Sequence, residues 1–409
     1  MIDIGMMTES SKGVRRFSTA PNERRVIQNV TIDYVVSLTL VFFIVFKISI
    51  VPETVMQVLK CASIALLILL HRRAASRILH FWAVIALACV QPLCTFFAGS
   101  SLMNVLFAAV NGLCLIALLL TFRSLADKYG IFQVLDSFFW MLLTATAAND
   151  ISVFSSTVHE ANTEYLLGNK FAVGYVHMLL LGLYSSILVK KRGYLRYNWG
   201  LFWFMFAESV IVINQVDTMT GMLGLVVTVV FSALMPKAIS RKLSSGMSCV
   251  ATLVGINVIF FGTGMMLENE FVRFFITEVL GRSLNLTGRT MIYDELGQII
   301  QMSPYVGWGY GSSVVVHAVG YGNAQNGIME LLVTYGVVGT VGFLLVLLAL
   351  LPRSKSQSNA EAKGLVATLY GMFLASLVEI SFGIIFYLIL SLTSVALKSG
   401  RDERRDSKC

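Results

Sequence analysis

The sequence predicts an all-α polytopic membrane protein, with about twelve transmembrane helices and one large external loop containing a short amphipathic helix. Three observations predict it. Hydrophobic residues make up 56% of the chain and charged residues only 13%, with a mean hydropathy of +0.76. A soluble domain carries about 25% charged residues, so a chain this apolar has the bilayer as its solvent. Apolar runs of span length recur from end to end. The charges gather in short stretches between these runs, so the net charge of +8 reads as a set of membrane anchors and not as a nucleic-acid surface.

A hydrocarbon core about 30 Å thick needs roughly 17–25 apolar residues of helix. Such runs place spans at 32–50, 54–70, 78–98, 102–122, 131–149, 171–189, 197–214, 218–235, 247–266, 327–351, 364–379 and 381–398. Residues 1–31 form a polar, basic tail, and the first apolar run has full span length, so no cleavable signal peptide is expected. Spans one to nine occupy 32–266, the large extracytoplasmic loop 267–326 and spans ten to twelve 327–398, with 399–409 as a C-terminal tail. The last two spans are divided at Glu379, because a carboxylate is costly at mid-bilayer and tolerated at a surface turn. The six cysteines show no CxxC and no metal-ligand spacing. Cys61, Cys89, Cys94, Cys114 and Cys249 lie in spans as small apolar fillers.

The basic residues test this layout. Stretches assigned to the cytoplasm hold 25 of the 31 lysines and arginines, including Arg72, Arg73, Arg77, Arg123, Lys128, Lys190, Lys191 and Arg192. Only Lys170, Arg273, Arg282 and Arg289 fall outside, while Lys47 and Lys60 lie within spans. The strict alternation predicts both the span number and the orientation, with both termini cytoplasmic.

Most external connections are a few residues long, but 150–170 and 267–326 are not. The longer one contains a predicted helix from Arg289 to Met302, with Ile292, Leu296, Ile299 and Ile300 on one face, Thr287 as its N-cap and Pro304 as its stop. Arg289 then sits in the first turn. Free N–H groups, the positive end of the helix dipole and a planar guanidinium form a phosphate or pyrophosphate clamp, with Arg282 nearby. The competing reading pairs each arginine with a local acid: Glu278, Asp294 or Glu295. Gly307, Gly309 and Gly311 follow in PYVGWGYGS. No βαβ unit precedes them, so this is no dinucleotide fingerprint. A tight turn that brings backbone near a ligand fits better, with Trp308 and Tyr310 either facing sugar rings or anchoring the interface.

The string SLNLTGRTMIYDELGQIIQMSPYVGWGYGS followed by NAQNGIMELLVTYGVVGTVGFL resembles the signature of the O-antigen ligase and polymerase superfamily. That signature has a TGR helix, a turn of spaced glycines, a polar–Asn pair opening a helix (here Gln325–Asn326), and G-x-x-G soon after (Gly336 and Gly339). GNKFAVGYVHMLLLGLY, residues 168–184, resembles the external edge and following span of these enzymes. The resemblance covers about half the chain and is strongest over 284–345. It implies a membrane glycosyltransferase of the Wzy-type polymerase branch. Such an enzyme joins undecaprenyl-pyrophosphate-linked oligosaccharide repeat units into a surface polysaccharide (exopolysaccharide, capsule or O-antigen). It works at the outer face of the bacterial cytoplasmic membrane, without metal or cofactor. Implied partners are the lipid-linked oligosaccharides, membrane lipids, and a chain-length regulator and flippase of the same pathway, with no nucleic acid.

Two departures matter. Ligases of the superfamily carry histidine where this chain has Gln325, and glutamine can orient a hydroxyl but cannot take its proton near neutral pH. An arginine usual near span eight is absent from Asp217-Thr218-Met219-Thr220, so that one phosphate contact is either missing or replaced by Lys170. Arg289, Arg282, Asp217, Gln325 and Asn326 are therefore the candidate catalytic residues. Lys170, Gly307, Gly309, Gly311, Trp308, Tyr310 and Glu330 are the candidate substrate contacts. A pyrophosphate departs easily, so the reaction can dispense with a strong general base. If one acts, Asp217, at the mouth of span eight, is the first choice over Asp294, Glu295, Glu330 and Glu379. Glu330 lies one turn beyond Asn326 on the same face and reads equally as a functional carboxylate or a buried partner of an arginine. His177 either faces the same cavity or is a hydrogen-bonded interior residue. A ligase-type transferase and a lipid-linked sugar transporter are the alternatives.

Overall fold

The computed structural model describes residues 31–156, 163–188, 198–262, 287–351 and 362–406. The chain order opens with α1 (Ile32–Val45), α2 (Glu53–His71), a 3-10 segment (Arg72–Arg77), α3 (Phe81–Phe97), α4 (Leu102–Tyr129) and α5 (Ile131–Ser155). A small antiparallel hairpin follows, β1 (Glu164–Tyr165) and β2 (Gly168–Asn169), with Glu164 opposite Asn169. Next come α6 (Lys170–Leu188), α7 (Trp199–Gln215), α8 (Met219–Leu234), the short α9 (Lys237–Leu243) and α10 (Gly246–Gly262). The described chain closes with α11 (Thr287–Met302), α12 (Val314–Val319), α13 (Gly327–Leu350), α14 (Lys363–Ala375) and α15 (Ile384–Asp406).

Among the described residues, α2 with its 3-10 extension, α4, α5, α6 and α13 are long and apolar enough to cross a membrane, and six more helices are apolar but shorter. Large apolar side chains point outward from these helices and from α7, among them Trp82, Phe97, Phe204, Ile211 and Leu234. A soluble monomer does not expose so much apolar surface, whereas lipid covers it at no cost. The fold is that of an all-α membrane protein. Its centre is α6, α8 and α14, where small residues let backbones approach: a Cβ on Gly371 would lie 2.7 Å from the Gly224 carbonyl oxygen. Around this centre α3 packs on α4 and α13, and α4 packs on α2 and α15.

Several boundaries differ from the sequence expectation, each for a local reason. Helix α1 stops at Val45, five residues early, because the chain turns extended at Phe46 and the Ser49 N–H donates to Leu166 O of the hairpin at 3.2 Å. Helix α4 runs on to Tyr129. Arg123, assigned to a loop, is therefore a helical residue that pairs with Asp127 one turn on, at 3.0 Å. Helix α5 reaches Ser155, so Asp150 lies inside it and not in a loop. Helix α14 ends at Ala375, and residues 376–383 form a connection that holds Glu379. Helix α15 continues to Asp406, so most of the tail assigned to 399–409 is helical.

The largest difference is in span ten. Helix α13 is broken at Gly336, which has φ 62° and ψ −165°, a region that in practice only glycine enters. The break orphans two carbonyls and two N–H groups, and an apolar interior tolerates none of them unpaired. The turn after α11 supplies all four partners. Trp308 N–H donates to Val333 O at 2.7 Å and Gly309 N–H to Thr334 O at 2.9 Å. Val337 N–H donates to Pro304 O at 2.8 Å and Val338 N–H to Tyr305 O at 3.1 Å. The turn is thus inserted into a discontinuous helix.

Candidate polar cavity at the broken helix

Helix α11 ends at Met302 as expected but begins at Thr287, two residues early, so Thr287 is its first residue and not its N-cap. It forms because its apolar positions recur at helical spacing. Ile292, Leu296 and Ile299 are buried in a small cluster with Val315, Ala324 and Val333. Trp308 packs on this cluster, and its Nε1 donates to Ile299 O at 2.9 Å. The helix therefore sits on the inserted turn, and the turn sits in the break of α13.

The three glycines of that turn all have positive φ. Gly307 shows why: a Cβ there would lie 2.6 Å from both Gly336 N and Val333 O. Protein fills the space at Gly309 and Gly311 too, from Ser100 and Asn104. The close approach that these glycines permit is to other backbone and side chains of this chain, where the sequence reading had placed a ligand. Asn326 likewise has a structural occupation. It is fully buried, and its Oδ1 caps α13 by accepting from Ile328 and Met329 N–H at 2.9 and 3.0 Å. Its Nδ2 donates to Asn257 Oδ1 at 3.0 Å and to Leu377 O at 3.1 Å. No donor or acceptor of that side chain is left for a substrate. Gln325, at φ 50°, donates from Nε2 to Asn323 Oδ1 at 2.8 Å, and its carbonyl accepts from Tyr293 OH at 3.3 Å.

Beside this construction lies a cavity of about 290 Å³, close to the lower size of small-molecule sites. Its polar lining comes from five helices and the inserted turn: Lys60 of α2, Gln91 of α3, Asn111 of α4, Tyr310 of the turn, Glu330, Thr334 and Tyr335 of α13, and Tyr387 of α15. Glu330 is held in place by the Ala324 N–H at 3.0 Å and the Thr334 hydroxyl at 3.4 Å. Gln91 donates to Tyr387 OH at 3.1 Å, and its Oε1 is buried with no hydrogen-bond partner among the described residues. An orphaned buried acceptor costs roughly 1–3 kcal/mol, so Gln91 is poised to receive a hydroxyl. Carboxylate, ammonium, amides and phenols thus converge in a largely apolar bundle, where each interaction is stronger than in water.

Of the sequence candidates, Glu330 and Tyr310 line the cavity and the other described ones do not. Asp217 is exposed in the turn from α7 to α8, in the left-handed conformation at φ 48°. Lys170 opens α6, with its ammonium 5.6 Å from the Phe171 ring centroid. Arg282 and Arg273 lie outside the described residues. Arg289 falls in the first turn of α11, and its side chain lies outside them too. Sequence reasoning missed Lys60, Gln91, Asn111 and Tyr387. The available signal was a lysine and two amides inside apolar runs, where polar groups are rare unless they face an interior site. It also passed over Asp150 and Glu208, which surround the fully buried His177. No protein-family model matches the chain, and no curated protein matches it.

Proposed function

We propose that this protein is a membrane glycosyltransferase that joins lipid-diphosphate-linked oligosaccharide units into a surface polysaccharide, with the cavity at the broken helix as its reaction site. The observation that carries the reading is the placement of Glu330 and Lys60 in one cavity, beside the turn and helix whose sequence resembles the polymerase signature. Discontinuous membrane helices characteristically line binding sites, since irregular backbone survives at depth only beside a cavity or inside protein. The positive-inside pattern orients this end of the bundle outward.

In this reading an acceptor sugar hydroxyl lies against Glu330, oriented by Gln91 and Asn111. Its oxygen attacks the anomeric carbon of the donor while the bond from that carbon to the diphosphate breaks. The electron pair leaves with the diphosphate oxygen, and the hydroxyl proton passes to the Glu330 carboxylate. Lys60 and Arg289 supply positive charge for the departing diphosphate, and loss of one such group costs on the order of 10²–10³ in rate. Gln325 in place of histidine favours the polymerase branch over a ligase.

The test is a deletion strain complemented with wild type, Lys60→Ala or Glu330→Gln. The expected result is single repeat units on the lipid carrier and no long polymer for the deletion and for both variants, with normal variant protein levels by immunoblot. Long polymer in the deletion strain, absent a second polymerase, rejects the function. Repeat units trapped on the cytoplasmic leaflet would instead indicate a transporter. Long polymer from both well-expressed variants rejects the cavity as the reaction site.

A further inference from the structure

A second polar cluster lies away from the cavity, among α5, α6 and α7. Asp150 stands five residues before the end of α5, His177 seven after the start of α6, and Glu208 seven before the end of α7. At about 1.5 Å per residue, all three lie about 7–10 Å in from the same end of the bundle. The imidazole is fully buried, and the Asp150 and Glu208 side chains are 11% and 34% exposed. One donor atom from each residue lies within 4.8 Å of the others.

Ser209 Oγ lies 2.7 Å from Met205 O and 3.0 Å from His177 Nδ1, and its hydroxyl can donate to either. With the ring proton on Nδ1 and donated to Ser209 Oγ, Nε2 presents a lone pair to Asp150 Oδ1 at 3.2 Å. A proton or a metal cation must lie between two lone pairs that face each other. Glu208 Oε2, 3.7 Å from Nδ1, adds a second carboxylate to a site largely removed from water. One divalent cation would satisfy the lone pairs and neutralise both carboxylates at once, and uncompensated buried charge is otherwise strongly unfavourable.

We propose that Asp150, His177 Nε2 and Glu208 form a binding site for one divalent transition-metal ion of the zinc type, which ties together the ends of α5, α6 and α7. The donor set of one imidazole nitrogen and two carboxylate oxygens suits such an ion, with a fourth position left for water. Bonds of about 2.0–2.2 Å would bring the donors closer together, and Glu208 Oε2, which lies 3.7 Å from Nδ1, would swing toward Nε2. Ser209 occupies the place of the outer hydrogen-bond partner that holds a ligating imidazole in its tautomer. The site does not rest on the proposed transferase activity and shares no residue with that cavity.

The test uses the full chain, purified in detergent with a tag free of histidine. It is equilibrated with Zn²⁺, freed of excess and assayed for metal content, and a parallel sample is loaded with Co²⁺ for visible absorption. The expected result is about one ion per chain in wild type and a higher thermal midpoint with Zn²⁺ but not with Mg²⁺. Ser209→Ala should weaken affinity by about 10–100-fold, the usual cost of losing an outer partner, and Asp150→Asn and Glu208→Gln should lose stoichiometric metal. Glu330→Gln, in the other cavity, should retain it. Wild type that binds no zinc and shows no thermal shift would overturn the site and leave a cluster neutralised by protons. Undiminished binding by a folded Asp150→Asn, Glu208→Gln double variant would overturn it equally.

Discussion

Single residues separate two kinds of polar group in this protein: those consumed by the architecture and those left facing space. Asn326 and Gln325 are adjacent and were read from sequence as one functional pair, yet they differ in this respect. Asn326→Ala removes a helix cap, worth about 0.5–2 kcal/mol, and orphans the buried Asn257 Oδ1 and Leu377 O, at roughly 1–3 kcal/mol each. The expected outcome is a lower thermal midpoint in detergent and less protein in the membrane. Gln325→Ala, whose side chain bonds among the described residues only to Asn323, should leave both unchanged. Equal thermal midpoints for the two variants would contradict this division. Arg289 is the other residue to separate. Under the proposed function Arg289→Ala abolishes polymer while protein persists, and Arg289→Lys rescues in part, because lysine keeps the charge but loses the planar fork that grips two phosphate oxygens. If Arg289 only pairs with a nearby acid, alanine should lower protein level while the surviving protein stays active. Polymer length set against immunoblot signal decides.

At the scale of elements, the unit is the turn from Pro304 to Gly311 locked into the gap of α13. Gly307→Ala places a methyl group 2.6 Å from Gly336 N and Val333 O and forces a non-glycine residue to φ +70°. It should therefore unseat the turn, orphan the four bridging hydrogen bonds and cost several times the 1–3 kcal/mol of backbone strain alone. Gly297→Ala is the control. It lies on α11 with no described residue within 4 Å of its Cβ position, and should be neutral or stabilising by up to about 1 kcal/mol. Thermal midpoints of the two purified variants check the contrast, and similar values would mean that the lock contributes little. These elements were legible in the sequence to different degrees. The amphipathic face of α11 was, because Ile292, Leu296 and Ile299 carry a helical period that only a partner surface explains. The break at Gly336 was not. Its flanks are apolar on both sides, so periodicity gives one continuous span, and the hydrogen bonds that permit the break come from a segment some 30 residues upstream. Lys60 was visible as an anomaly but had no partner in sequence. Only the packing of α2 beside α4, and of α3 beside α13, brings it to the cavity of Glu330.

At the scale of the whole molecule, the question is which end of the bundle faces outward, because the cavity, the hairpin and the Asp150–His177–Glu208 cluster all lie toward the ends that the charge pattern assigns outside. The segments at the other ends carry the basic residues: Arg72, Arg73 and Arg77 in the 3-10 segment, Arg241 and Lys242 in α9, and Arg401, Arg404 and Arg405 at the end of α15. Retained cations of this kind fix orientation, since moving each across the membrane is opposed. Fusions of a reporter active only in the cytoplasm should therefore be active after residues 72, 192, 240, 356 and 405 and silent after 160 and 310. The pattern is demanding because odd and even helices must alternate through all the shorter apolar helices as well as the five of full length. If α1, α3, α7, α8, α10, α14 or α15 lay on the surface and did not cross, the sign would invert from that point onward. Silence after 240 with activity after 72 would place the failure between α3 and α8. Activity after 310 would put the cavity on the cytoplasmic face, where no outward-facing polymer synthesis could occur, and the proposed function would fall with the orientation.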